Sequence, residues 1–170
     1  TYGEFTEFKV TVPGDVTENV TIIVDGVSYN NILVDNSTGV GIATLRLNNL
    51  SGGLHAVTAV YPGDDKYLRL SNSTTFVVGR AASSIDVNFT TPKFVGDNVI
   101  FNVTMPQSIN GTVVLSVGKN NYTVIITNGN GSYVVSGLVN TTYAVKVTFA
   151  WNENYTGSYS GIKNLAVNKI

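Results

Sequence analysis

The chain has no cysteine, one histidine, one methionine and one tryptophan in 170 residues. Without cysteine there is no disulfide to staple a small fold, no thiolate nucleophile and no thiolate metal site. A single histidine excludes a His cluster for zinc. Charge is scarce as well: charged residues make up 12% of the chain and the net charge is −1. No Lys/Arg run or basic face exists to meet a phosphate backbone, so nucleic acid is excluded as a partner. No apolar run approaches the roughly 20 residues of a membrane-spanning helix. No charged-then-apolar leader opens the chain. It begins in mid-pattern, as expected of a piece of something longer. No window repeats at 3.6 residues, which excludes a helical bundle.

What remains is β-type sequence. Short runs of Val, Ile, Thr, Tyr and Phe alternate with Gly, Asn, Asp and Pro clusters about every ten residues, the spacing of a β-sandwich or barrel. In FTEFKVTV (5–12), Phe8, Val10 and Val12 face one way and Lys9 and Thr11 the other. PGD (13–15) turns the chain, NVTIIVD (19–25) is the next strand, and Asp25-Gly26 signals a hairpin into VSYNNILVD. GIATLRLNNL offers Ile42, Leu45 and Leu47 to the core. A strand with His55, Val57, Ala59 and Tyr61 on one face follows, then the loop PGDDK and a last strand, YLRLSNSTTFVV.

The order then repeats. HAVTAVYPGDDKY (55–67) returns without a gap as YAVKVTFAWNENY (143–155), 88 positions on. FTEFKVTVP returns as NVIFNVTMP 93 positions on, with Phe101 on Phe8, Val103 on Val10 and Met105 on Val12; the same offset sets Tyr122 on Tyr29. A tighter turn at GNG (129–131) accounts for the change of offset. The halves are expected as domains of residues 1–79 and 80–170, joined by GRAAS (79–83) with limited hinge motion. The second half opens with a leading strand, SSIDVNFTT, before Gly96-Asp97. The first half begins at the matching point, Gly3-Glu4, so its first strand is missing. A sandwich without its first strand exposes a sheet edge and a groove that an extended segment can fill by strand addition.

These residues resemble a known family. Val10–Pro13, Val20–Gly26, Leu50–Gly53 and Tyr61–Tyr67, with Val103–Pro106 and Tyr143–Tyr155 in more degenerate form, are similar to the bacterial-type Ig-like repeats of large surface proteins. The likeness is greatest to the Asn- and Thr-rich adhesin-like proteins of methanogenic archaea. The resemblance implies an all-β fold of two immunoglobulin-like antiparallel β-sandwiches in tandem, end to end, the first lacking its initial strand. It also implies an extracellular, cell-surface location.

Asn-x-Ser/Thr recurs at Asn19, Asn36, Asn49, Asn72, Asn88, Asn102, Asn110, Asn121, Asn130, Asn140 and Asn154, against roughly four expected from composition. Either the chain is heavily glycosylated, or turns simply favour Asn and strands favour Thr. Alternation points Asn88 and Asn102 outward, as a glycan requires. His55 falls on an inward strand face and reads as a core position, because no nucleophile motif accompanies it. No catalytic residue and no cofactor is expected. Asp64 and Asp65, with Asp15, are weak Ca²⁺ candidates; a solvated turn is the plainer reading. Trp151, Tyr155 and Tyr159 read as core, rim or interdomain packing, or as a sugar platform. The contact candidates are the two loops after the repeated strand: Pro62, Asp64, Asp65 and Lys66 in one, Trp151, Glu153 and Tyr155 in the other. A Lys–Asn or Lys–Asp isopeptide cross-link is disfavoured, because alternation places Lys9 and Lys146 outward.

The expected function is a stalk or display segment of a long cell-surface protein in cell adhesion. Its partners would be other repeats of the same chain and a protein or glycan on another cell. A carbohydrate-binding accessory module is the alternative, and an enzyme is the weakest reading.

Overall fold

The computed structural model describes residues 1–170 and contains strands and no helix. The chain divides into two compact units, Thr1–Ala81 and Ala82–Ile170, inside the GRAAS segment. Each unit is a two-sheet sandwich around its own core.

Unit 1 contains β1 (Thr6–Pro13), β2 (Val20–Val24), β3 (Val27–Ile32), β4 (Val34–Asp35), β5 (Val40–Leu47), β6 (Gly53–Tyr61) and β7 (Leu70–Val78). One sheet runs β1-β5-β4 and the other β3-β2-β6-β7, with every neighbour antiparallel. The β2–β3 hairpin turns on Asp25-Gly26, both at positive φ (49° and 82°), the primed turn whose twist matches its strands. VSYNNILVD is not one strand, as expected, but two. β3 pairs with β2 in one sheet, Leu33 swings out, and β4 pairs with β5 in the other. The register of β5 also corrects its facing. Ala43, Leu45 and Leu47 lie opposite Val10, Phe8 and Thr6, while Ile42 lies opposite Thr11 on the outer face. Period-two alternation therefore gives the core position to Ala43, which is fully buried.

Unit 2 contains β8 (Asp86–Asn88), β9 (Lys93–Phe94), β10 (Val99–Thr104), β11 (Gly111–Val117), β12 (Asn120–Ile126), β13 (Asn130–Val135), β14 (Thr141–Phe149), β15 (Ser158–Tyr159) and β16 (Lys163–Asn168). Its sheets run β13-β10-β8 and β12-β11-β14-β16-β9, with β15 beside β14. The expected leading strand SSIDVNFTT is shorter than its run: only Asp86–Asn88 of it pairs, as β8. β8 lies antiparallel along β10, and past Pro92 β9 lies parallel to β16 in the other sheet. The turn expected at GNG sits one residue earlier, on Asn128-Gly129 at φ 49° and 80°. Gly131 belongs to β13, where an added Cβ would stand 2.4 Å from the Ile125 carbonyl oxygen.

The repeated strands correspond: β1 with β10, β2 with β11, β3 with β12, β5 with β13, β6 with β14, and β7 with β16. Nothing in unit 1 corresponds to β8. The consequence is visible in the cores. Phe101 and Val103 are 0% and 1% exposed, whereas their counterparts Phe8 and Val10 are only half-buried. Leu165 is fully buried, whereas Phe76, at the same position of the last strand, is half-buried.

Candidate functional site

The loop after β6 is built on Asp64. Its Oδ1 accepts the backbone N–H groups of Lys66 (2.8 Å) and Tyr67 (2.7 Å), a turn of the kind Asp and Asn side chains make two to three residues ahead. The Asp64 N–H donates to the Tyr67 carbonyl at 2.8 Å. Oδ2 accepts the Tyr61 hydroxyl and the Thr17 N–H at 3.2 Å, which ties the loop to the β1–β2 turn. A second carboxylate completes the joint: Asp15 accepts the Tyr67 hydroxyl at 2.6 Å and the Lys66 ammonium. The Tyr61 hydroxyl, then the backbone donors, hold the Asp64 carboxyl well below the usual carboxylate range. Lys66, then Tyr67, lower Asp15. Burial first, and Asp64 second, push the Tyr61 phenol up.

Unit 2 repeats the device with an amide. Asn152 Oδ1 accepts the N–H groups of Asn154 (2.9 Å) and Tyr155 (2.8 Å), and its own N–H donates to the Tyr155 carbonyl at 3.0 Å. The four-residue spacing Asp/Asn-x-x-Tyr is therefore structural: the acid or amide folds the loop and the tyrosine packs back on the core.

This geometry re-sorts the contact candidates. Asp64 is committed to protein donors, and the Lys66 ammonium occupies the side of Asp15 that a cation would take. No three acidic or imidazole side chains converge anywhere in the chain. Pro62, Asp65 and Lys66 are exposed at the tip of one loop. Trp151 and Glu153 are exposed at the tip of the other, and Tyr159 is exposed as well, but Tyr155 turns into the core and leaves the aromatic group.

His55 is 8% exposed and clamped. Its Nδ1 lies 2.6 Å from Asp25 Oδ2 and its Nε2 lies 2.7 Å from the Ser51 carbonyl oxygen. Both nitrogens face acceptors, the pattern that suits the doubly protonated ring. Asp25 Oδ1 also accepts the Ala56 N–H at 2.9 Å; that bond, then His55, lowers the Asp25 carboxyl. The ring stacks on Phe76 with centroids 5.3 Å apart. It is a strut between the β2–β3 turn and the start of β6.

Of the sequon asparagines, Asn36, Asn49, Asn72, Asn88, Asn102, Asn110, Asn121, Asn130 and Asn140 are exposed, and Asn19 and Asn154 are half-buried. Asn88 and Asn102 lie directly opposite each other on β8 and β10. Lys9 and Lys146 are exposed. A different lysine meets an acid across strands: Lys163 donates to Asp86 (2.6 Å) and to the Val87 carbonyl (2.7 Å), anchoring β8 to β16, and it lowers the Asp86 carboxyl.

A cleft of ≈ 520 Å³ lies in unit 1, between β1 and β7. Its floor is apolar: Val10, Ile22, Val57, Tyr61 and Phe76. Sequence alternation places these residues, and the missing leading strand was the signal that pointed to the groove. No residue run signals the Asp64 joint, because its partners are 47 and 52 positions away from it or its neighbour Tyr67.

Residues 1–79 match the family model of the bacterial Ig-like domain (group 3). No curated protein matches the chain. Among solved structures the chain is similar to dimeric latent PorU from Porphyromonas gingivalis, at 15% identity and a TM-score of 0.42, over 98% of this chain and 18% of that one. It is similar to the fibronectin(III)-like modules of Clostridium thermocellum CbhA, at 14% identity and a TM-score of 0.41, over 98% of this chain and 87% of that one. It is also similar to a chimeric titin Z1Z2–Z1Z2 tandem, at 13% identity and a TM-score of 0.33, over 99% and 92% of the two chains.

Proposed function

We propose that this chain is a structural and adhesive segment of a long extracellular surface protein, acting as stalk or display module, of the adhesin-like kind met in methanogenic archaea. The observation that supports it is what the two units share and what they vary. The strand faces and the Asp/Asn-x-x-Tyr loop lock are common to both; the loop tips PGDDK and AWNEN are not. Parts that close a sandwich are retained, and the surface that would meet another molecule changes. The bacterial Ig-like match over residues 1–79 agrees with this reading. Exposed sequons on both units fit a glycan-coated shaft. Other repeats of the same polypeptide, and a protein or glycan on a facing cell, are the partners this role implies.

Two measurements on native material test it. Intact mass should exceed the polypeptide mass by whole sugar residues, with Asn36, Asn72, Asn88 or Asn102 among the carriers; an unmodified mass removes the glycan-coat part. On a glycan array, a segment that only spaces the binding tip gives no signal. Binding that Trp151→Ala abolishes would replace the stalk reading with a carbohydrate-binding module.

A further inference from the structure

The two units close the same corner with different residue pairs. In unit 1 the corner holds Asp25 and His55; the matching positions in unit 2 hold Gly118 and Tyr143. The backbone is alike in both. The Asp25 N–H donates to the Ala56 carbonyl at 3.0 Å, and the Gly118 N–H to the Ala144 carbonyl at 2.9 Å, with φ at 49° and 59°. In unit 2 the Tyr143 hydroxyl accepts the Val139 N–H at 3.0 Å. A Cβ on Gly118 would stand 3.1 Å from the Tyr143 ring, so the phenol fills the space a side chain would need. In unit 1 the smaller imidazole leaves room for the Asp25 carboxylate and reaches the Ser51 carbonyl, which precedes it by four residues as Val139 precedes Tyr143. Glycine stands with the phenol and aspartate with the imidazole, so the corner is exchanged as a pair.

We propose that Asp25 and His55 form a proton-dependent clasp: His55 carries its second proton at neutral pH, and loss of that proton loosens this corner of unit 1. Nδ1 lies 2.6 Å from a carboxylate oxygen and Nε2 lies 2.7 Å from a carbonyl oxygen. A neutral ring has one N–H. It would set a lone pair against one of these oxygens at a position only 8% exposed, where an unmade hydrogen bond is costly. Whichever proton leaves, either the β2–β3 turn or the β5–β6 connection is released. The other surroundings are mostly apolar. Phe76 stacks on the ring from β7 and Phe8 of β1 meets Phe76; Val24 ends β2 beside Val57. On the outer face of β1, Glu7 and Lys9 pair with each other. Tyr2 and Arg80 stand at the same end of the unit, beside the Tyr2–Gly79 hydrogen bond. The Arg80 guanidinium opposes a charged ring, but it is exposed and screened by water. The Asp25 carboxylate favours that charge and touches the ring; its own carboxyl is lowered by the Ala56 N–H first and by His55 second. A charge held this way stabilises unit 1 fully below the ordinary His value of about 6.5, and the stabilisation is lost as pH rises through the folded-state value. Unit 2 has neither imidazole nor carboxylate at this corner and lacks the dependence.

The test is an NMR titration of the full chain. His55 is its one histidine, so the ring signals need no assignment. Their midpoint should lie above about 6.5, and Asp25→Asn should move it down. Asparagine suits the left-handed backbone at this position and keeps an oxygen for the Ala56 N–H, so the variant removes the charge and little else. Thermal melts from about pH 6 to about pH 9 should show the unit 1 transition falling with pH while that of unit 2 stays level, and Asp25→Asn should flatten the fall. The Thr1 ammonium, paired with Glu4, is the same in both chains and cancels from the comparison. The double variant Asp25→Gly, His55→Tyr installs the unit 2 pair and should melt without the fall. A ring midpoint at or below about 6.5 in the unaltered chain would overturn the proposal. So would a midpoint that Asp25→Asn leaves unmoved, or a double variant whose melting falls as steeply as before. If the double variant does not fold, the titration of the unaltered chain still decides. Glycan-array and mass results bear on the stalk reading alone, so the two proposals can fail separately.

Discussion

Asp64 shows how one side chain can hold a loop that composition alone would leave undefined. Its two oxygens draw on two backbone donors ahead of it, the phenol of Tyr61 at the end of β6 and the Thr17 N–H of a distant turn. All of these bonds favour the ionised carboxylate, so its folded-state pKa is lowered. A lowered carboxyl stabilises the fold above its unfolded value of about 3.9, and that stabilisation is lost as pH falls through the folded value. Asp15, Asp25 and Asp35 are lowered too and act with the same sign. Melting of unit 1 should therefore shift to lower temperature as pH drops below about 5. Asp64→Asn should flatten that acid limb in part while keeping the turn, since unit 2 folds the same loop with Asn152. Asn152→Ala should lower the melting temperature of unit 2 with no added pH dependence, because an amide does not titrate. Thermal melts between pH 7 and pH 3 read all three; a steeper acid limb in Asp64→Asn would contradict the assignment.

At the level of elements, the turns decide where strands end and which sheet they join. Asp25-Gly26 and Asn128-Gly129 adopt the same positive-φ pair, yet their surroundings differ. A Cβ at Gly26 would meet nothing within 4 Å. At Gly129 it would stand 2.5 Å from the Met105 carbonyl and 2.6 Å from that of Gln107. Gly26→Ala should therefore cost only the left-handed strain, about 1–2 kcal/mol. Gly129→Ala adds a backbone clash and should cost clearly more. Urea unfolding of each variant gives the difference; equal losses would mean that the close approach at Gly129 relaxes without penalty. The sheet switches at Leu33 and Pro92 belong to this scale as well. VSYNNILVD reads as one continuous strand but leaves one sheet at Leu33 for the other, and the chain after β8 crosses at Pro92, so that both layers of the core are covered.

Across the whole molecule, two units of one plan differ in closure. Unit 2 buries Phe101, Leu115, Val145 and Leu165 completely. Unit 1 leaves Phe8, Val57 and Phe76 partly open beside the cleft. Calorimetry of the chain should show two transitions, the lower one belonging to unit 1. Phe101→Ala should lower only the upper transition, by the roughly 3–5 kcal/mol usual for a buried Phe. Phe8→Ala should lower only the lower transition, by less, since less apolar area leaves water there. A single transition moved equally by both variants would show that the units melt together.

Much of this was legible in the residues alone. Period-two alternation, Gly and Asn at turns, and a phrase returning 88 positions on are local signals, and local signals survive in a linear string. They determined the all-β class, the repeat and the turn at Asp25-Gly26. Ile42 against Ala43 was ambiguous because both are apolar neighbours, and only pairing with β1 selects the inward one. The Asp64 joint, the clamp on His55, the parallel pairing of β9 and the cleft between β1 and β7 were decided by the tertiary structure. Each depends on groups from strands or turns far apart in the chain, and that proximity exists only once the two sheets have closed on each other.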